Sequence, residues 1–295
     1  MLDNCVAVVN GKGGVGKTSI VANVAATAAL GGWRTLAVDL DPQGNLARDL
    51  GYRDRSDEGR GLLEAVMTAT PARPMTGVRP GLDVITGGRH TRRLGDLLVV
   101  QALGQQPAVD YHLEPALAAV AGRYDLVLLD CPPASNLLVR AALALAGHAV
   151  IPTKIDDASI DGLEGLADVL GEVVRTANPQ LRVLGVVLFD VGAGDTRLQA
   201  EARRELEEML DGIAPVLRAA IRHTRRAARD LRRRGSTAAE YEQAALDAKP
   251  WYADRAAPAL SRAAGGLAGD YQQLTTEILA ALCARAAGQI AEVTP

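Results

Sequence analysis

Apolar residues along this chain fall into short blocks separated by stretches with helical spacing. "CVAVVN" (Cys5 to Asn10) is a run of strand length, and an Ala-rich helical pattern follows from Thr18 to Leu30, stopped by Gly31-Gly32. "RTLAVDLD" (Arg34 to Asp41) reads as a second buried strand. "LDVITGG" (Leu82 to Gly88), "YDLVLLDCPP" (Tyr124 to Pro133), "HAVIPT" (His148 to Thr153) and "LRVLGVVLFD" (Leu181 to Asp190) continue the series. Strands separated by helix patterns predict an α/β fold: a doubly wound, mainly parallel sheet with helices on both faces. Residues 52–80, rich in Arg, Asp, Gly and Pro, read as surface loops around one short helix, "GLLEAVM". From about Ser236 the chain reads as helical, ending in an Ala-rich helix over Tyr271 to Ala287. With no internal repeat and no linker, residues 1–295 are expected to form a single domain with a helical C-terminal part, about 236–295.

Composition narrows the class. The apolar share is 48%, mostly Ala, Leu and Val, which suits a soluble, helix-rich α/β protein. The longest uncharged run, Thr18 to Trp33, is too short for a membrane span. Residues 1–10 lack the basic start of a signal peptide. Cys5, Cys131 and Cys283 form no CxxC pair, so neither a disulfide framework nor a zinc site is expected, and a reducing cytoplasm is.

Charge adds an asymmetry. The formal net charge is −3, yet eight arginines and one acid, Asp230, lie between Arg218 and Arg234. A concentrated basic segment on an otherwise acidic chain points to a polyanionic partner. The alternative is a solvated helix paired with acidic neighbours such as Glu201 to Glu208.

The chain has four lysines, and two of them, Lys12 and Lys17, stand within nine residues, "GKGGVGKTS" (Gly11 to Ser19). Gly11-x-x-x-x-Gly16-Lys17-Thr18 matches the P-loop, placed as it must be after a strand and before a helix. Gly11, Gly13, Gly14 and Gly16, with Val15 between, let backbone N–H groups close on phosphate oxygens while the helix directs its positive end at them. Lys17 is then placed to reach the β- and γ-phosphates of ATP, and the Thr18 hydroxyl to ligate Mg²⁺. Ser19 completes the loop. Asp130 ends "LVLLD" where a Walker B aspartate stands, suited to holding Mg²⁺ directly or through water. Asp41 ends "AVDLD" at the carboxyl end of another strand, where open α/β sheets bind their ligands, and is a candidate for the metal and for the attacking water.

"KGGVGKTS", "VDLDPQGN" (Val38 to Asn45) and "LLDCPP" (Leu128 to Pro133) together resemble the ParA/MinD family of deviant Walker-A ATPases, closest to its ParA (Soj-like) partition branch. "IPTKIDDASIDGLEGL" (Ile151 to Leu166), "LGVVLFD" and a late "AEYEQ" extend the resemblance over nearly the whole chain. The resemblance makes Lys12 the signature lysine: two ATP-bound subunits form a sandwich dimer, and each Lys12 reaches the phosphates held by the other. A second cation in a closed interface stabilises γ-phosphate charge, so dimerisation depends on nucleotide. The resemblance also makes Asp41 the residue required for hydrolysis, makes Asp130 the Walker B aspartate, and places Asp161 near the attacking water. It implies nonspecific binding of double-stranded DNA by the ATP dimer, slow hydrolysis stimulated by a ParB-type partner, and a nucleoid-associated cytoplasmic location. Arg222, Arg225, Arg226 and Arg229, spaced for one stripe around a helix from about Thr224, are the expected DNA contacts, with Arg197 at a second basic position. Cys131 is expected to be a small buried residue rather than a redox centre.

Departures from the family define further expectations. Ten residues precede Gly11, which leaves no room there for an operator-reading helix-turn-helix. The C-terminal segment lacks the basic face of a MinD-type membrane helix, and its stripe of Tyr271, Leu274, Ile278 and Leu282 is expected to be core. Two alternatives stay open: a positioning ATPase for a protein assembly, and a ligase resembling dethiobiotin synthetase or cobyrinate amidase, for which no substrate motif stands out; an Mrp-type carrier would need a paired CxxC, which the sequence lacks.

Overall fold

Side chains of a central parallel strand are buried on both faces, so parity decides which core each residue joins. The computed structural model describes residues 1–103, 113–133, 137–192, 194, 196–210, 214–247 and 266–286. Its strands are β1 (Leu2–Val8), β2 (Thr35–Asp39), β3 (Met75–Arg79), β4 (Leu82–Ile85), β5 (Leu126–Asp130), β6 (Ala146–Thr153), β7 (Arg182–Val191) and β8 (Val216–Arg222). They form one sheet in the order β3-β4-β2-β5-β1-β6-β7-β8, parallel throughout except for the β3–β4 hairpin. The expected doubly wound α/β fold is therefore the observed one.

Helices cover both faces. They are α1 (Lys17–Leu30), α2 (Asn45–Asp49), α3 (Arg60–Thr68), α4 (Arg89–Leu103), α5 (Leu113–Ala121), α6 (Leu137–Leu145), α7 (Asp157–Thr176), α8 (Thr196–Leu210), α9 (Arg225–Arg234), α10 (Ala238–Asp247) and α11 (Leu267–Ala286). Cys5, Ala7, Leu36, Val38, Val127 and Leu129 pack on the side of α3 to α7. Their neighbours Val6, Val8, Ala37, Leu126 and Leu128 pack on the other side, with α1, α2 and α9 to α11. Tyr271, Leu274, Ile278 and Leu282 of α11 lie in that second core, as their spacing predicts. Residues 248–265 and 287–295 of the predicted helical C-terminal part lie outside the described residues.

Residues 52–80 hold more structure than their composition suggests. A 3-10 turn (Arg53–Arg55), α3 and the edge strand β3 occupy the segment. β3 escapes a pattern-based reading because "MTGVR" is half-exposed along its length and carries a glycine.

The opposite edge, β8, is shielded by carboxylates of α11. Glu277 accepts from the Arg218 and Ala219 amides, each at 2.8 Å, and Asp270 accepts from the Arg222 amide at 3.0 Å. Edge N–H groups that would otherwise template another strand are thus satisfied within the chain. Because β1, β2, β5, β6, β7 and β8 are parallel, the loops that follow them emerge at one edge of the sheet. β1 sits between β5 and β6, where the chain's crossovers diverge, and the crevice outside its carboxyl end is where such sheets bind ligands.

Candidate nucleotide site and basic face

The loop from Val9 to Gly16 joins β1 to α1, and its conformation demands glycine. Gly14 and Gly16 adopt left-handed φ values of 77° and 90°. A Cβ on Gly16 would stand 2.3 Å from the Phe189 ring, so the loop and the end of β7 touch only because that position is bare. Gly16 caps α1 without a side-chain partner, leaving the first N–H groups of the helix directed into the site. Lys17 is buried, its Nζ donating to the carbonyls of Asn10 and Lys12 at 2.9 Å each. Burial lowers its pKa, opposed by the negative charges of Asp130 and Asp41.

Three aspartates converge from β2 and β5. Asp130 is fully buried, and among the described residues no hydrogen bond of ordinary geometry reaches either of its oxygens. Burial lifts its pKa to about 7, and Asp41 adds to the rise, while the nearby Thr18 hydroxyl and Lys17 ammonium oppose it. Asp41 is buried after β2, where its Oδ1 accepts from the Gln43 amide at 2.8 Å. Asp39 was not among the expected site residues, although the D-x-D of "VDLD" is its local signal. Its carboxylate accepts from the Asp41 amide at 2.9 Å and the Leu46 amide at 3.3 Å, holding the loop that carries Asp41. Burial and then the charge of Asp130 push the Asp39 pKa well up.

An orphaned buried carboxylate beside a threonine hydroxyl is a hard-oxygen donor set, and it fits Mg²⁺. Among the described residues no three His, Cys, Asp or Glu side chains form a metal cluster. Mg²⁺ typically takes one or two protein carboxylates, retains water and shares phosphate oxygens. Cys131, next to Asp130, is fully buried, and burial raises its thiol pKa well above the ordinary value, so it stays protonated, as expected of a core cysteine.

The outer rim carries two ion-pair groups. Within the single chain, Lys12 Nζ pairs with Asp156 Oδ1 at 2.5 Å, at the start of the segment after β6. Lys154 Nζ lies 2.9 Å from Asp190 Oδ2, and His223 Nδ1 meets the other oxygen of the same carboxylate. Burial works against the Asp190 charge; the bonds from Lys154 and His223 overcome it and hold its pKa below the ordinary value. No local signal in the sequence marks these four partners, Asp156, Lys154, Asp190 and His223, because each is distant in the chain from the group it meets. Beside them a cleft of about 330 Å³ runs along α1, lined by Ser19, Asn23, Phe189, Asp190, His223 and Tyr271, among others.

The predicted arginines are not brought together as one stripe. Arg222 ends β8 rather than joining α9, and its guanidinium forms a bidentate pair with Asp270 at 2.7 Å for both contacts. Its charge is spent on tying β8 to α11. Arg197 lies on α8 rather than α9, 93% exposed and paired with Glu201 one turn on. On α9, Ala227 and Leu231 face the core while Arg226, Arg229, Arg232, Arg233 and Arg234 are exposed. The side chains of Arg225 and Asp161 lie outside what is described.

A strand–P-loop–helix at the crevice of a doubly wound sheet, with Lys17, Thr18 and buried carboxylates converging on it, defines a P-loop nucleotide-binding protein. Comparison with known proteins sharpens the class. The AAA domain family model matches residues 3–183. The chromosome partitioning protein ParA of Myxococcus xanthus is 33% identical over 189 residues, 61% of this chain and 62% of that protein. The match thus spans less than two thirds of the Myxococcus protein. The chromosome-partitioning ATPase Soj of Thermus thermophilus is 38% identical over 204 residues, 68% of this chain and 74% of Soj. Among solved structures, the ATP complex of a McdA variant from Cyanothece superposes with a TM-score of 0.73 over 99% of this chain and 98% of that one, at 17% identity. The chain belongs to the ParA/MinD family of P-loop ATPases. Among the described residues, no helix is long and apolar enough to cross a membrane.

Proposed function

We propose that this protein is a DNA partition ATPase: Mg²⁺-dependent ATP binding drives a sandwich dimer, the dimer binds DNA nonspecifically, and slow hydrolysis stimulated by a ParB-type partner releases it. The observation that carries this reading is the paired lysines of one loop, Lys17 turned into its own site and Lys12 on the rim beside Asp156. Lys17 holds the phosphates of its own subunit. Lys12 exchanges Asp156 for the phosphates of the partner copy, which makes the dimer conditional on nucleotide. Thr18 and Asp130, with Asp41, would hold Mg²⁺, which neutralises phosphate charge when bound. Asp41, fixed by Asp39 and by the Gln43 turn, orients the attacking water. The nucleoside occupies the cleft beside Ser19 and Phe189. Exposed arginines of α9, with Arg226 and Arg229 among them, meet the DNA backbone. A cytoplasmic, nucleoid-associated location follows from that contact.

The test is sedimentation with ATP and magnesium. Lys12→Ala is expected to bind ATP with near-normal affinity through Lys17, yet remain monomeric and inactive in hydrolysis. Wild-type dimerisation by Lys12→Ala would overturn the sandwich model. Hydrolysis measured with and without duplex DNA and a candidate ParB-type protein then tests stimulation.

A further inference from the structure

Between α2, the 3-10 turn after it and α9 runs a groove of about 780 Å³ that the nucleotide site does not use. Its floor is backbone against backbone. Gly51 and Gly235 are both left-handed, and a Cβ on Gly235 would stand 2.3 Å from the Gly51 Cα. The two helix ends approach this closely because neither carries a side chain there. Arg79 fastens the floor from below, donating to the carbonyls of Leu50 and Gly235 and pairing with Glu240.

Above that floor stand arginines on both walls. Arg48 and Arg53 come from one side, Arg229, Arg232, Arg233 and Arg234 from the other, and among the described residues Asp54 is the one acidic lining residue. Buried Asp49 lies under the groove, 3.6 Å from both Arg48 and Arg232, whose side chains are 35% and 48% exposed. So many guanidinium groups in one groove repel one another unless a polyanion lies among them, and their planar forks match phosphate oxygens. Among the described residues, the lining contains no aromatic side chain on which an unpaired base would stack, which favours a duplex backbone over single-stranded nucleic acid.

We infer that this groove is a phosphodiester-backbone site for duplex DNA, with Arg48 and Arg53 as contacts that charge clustering in the sequence does not reveal. The inference rests on the DNA reading above and extends it to a second element. α2 begins at Asn45, directly after the loop that carries Asp41, and the Ser19 hydroxyl of the nucleotide helix reaches Asp49 at 3.4 Å. One wall of the groove is therefore built from the segment that lines the nucleotide site.

The experiment measures binding of a fluorescent duplex by the full chain with ATP, from about 50 to 200 mM salt. The Arg48→Ala/Arg53→Ala double variant should bind more weakly, and its plot of log affinity against log salt should flatten by about one per arginine. Arg53→Ala alone, on the exposed turn, should flatten it by about one while leaving ATP affinity and thermal midpoint unchanged, which separates lost contact from lost folding. Arg48→Lys/Arg53→Lys should retain most of the slope. If wild type binds the duplex and both alanine variants match its affinity and slope, the groove is not the site and the DNA reading survives. If wild type does not bind duplex even at low salt, or binds only anionic vesicles, both fall.

Discussion

Replacing Asp130 by asparagine removes a carboxyl whose pKa in the folded chain is pushed up to about 7, chiefly by burial. An unfolded aspartate titrates near pH 4. Between about pH 4 and pH 7 the folded chain therefore holds a proton that the unfolded chain has lost. Wild-type stability must fall as pH rises through that window, by at most about 1.4 kcal/mol per pH unit and about 4 kcal/mol across it. Asparagine has no such slope. Its NH₂ group, buried without a designed acceptor, costs roughly 1–3 kcal/mol, but equally at every pH. Asp39 adds in the same direction, because its own raised pKa owes part of its rise to the charge of Asp130. Urea unfolding without nucleotide or magnesium at pH 5, 6, 7 and 8 measures the effect. The variant's stability relative to wild type should improve by about 2–3 kcal/mol from pH 5 to pH 8, whatever its offset. A difference that stays flat within about 0.5 kcal/mol would refute the claim that burial of Asp130 outweighs the opposing pull of Thr18 and Lys17. With ATP and magnesium present the order should reverse at pH 8, because the wild-type carboxylate then has a cation to meet.

Two further substitutions probe the frame around the site. Gly16→Ala drives a methyl into the Phe189 ring at a φ of 90°, and should cost about 2–4 kcal/mol and weaken ATP binding; Gly32→Ala, at φ 89° with open space around it, should lose only about 1 kcal/mol by the same urea assay. Equal losses at the two positions would show that backbone strain alone, not the contact with β7, restricts Gly16. Glu277→Ala strips the acceptor from two β8 amides and should cost about 1–3 kcal/mol and promote self-association at high protein concentration, whereas Glu277→Gln should recover much of the stability; light scattering and urea midpoints that match wild type would exclude a capping role.

Local chemistry carries a long way in this chain. The P-loop was legible because it is contiguous: glycines at fixed offsets, a lysine and a threonine occur together between a strand pattern and a helix pattern. The central strands were legible because burial on both faces makes them uniformly apolar, and Asp41 and Asp130 because each ends such a run. β3 was not, since a half-exposed edge strand is held by its hairpin with β4 rather than by its own pattern.

What the sequence by itself determined is therefore the phosphate loop, the winding of the sheet and the family. Only the tertiary structure decided which charges are available. Arg222 resembles its neighbours in the chain, but Asp270, 48 residues later, takes its charge. Arg48 and Arg53 stand far from the basic segment in the chain, yet the contact of Gly51 with Gly235 sets them across a groove from it. Lys12 and Lys17 are five residues apart, one turned in and buried, the other out on the rim with Asp156. The physical reason is the same each time: a side chain's type is local, but its burial and its partner are set by residues that meet only when the sheet is assembled.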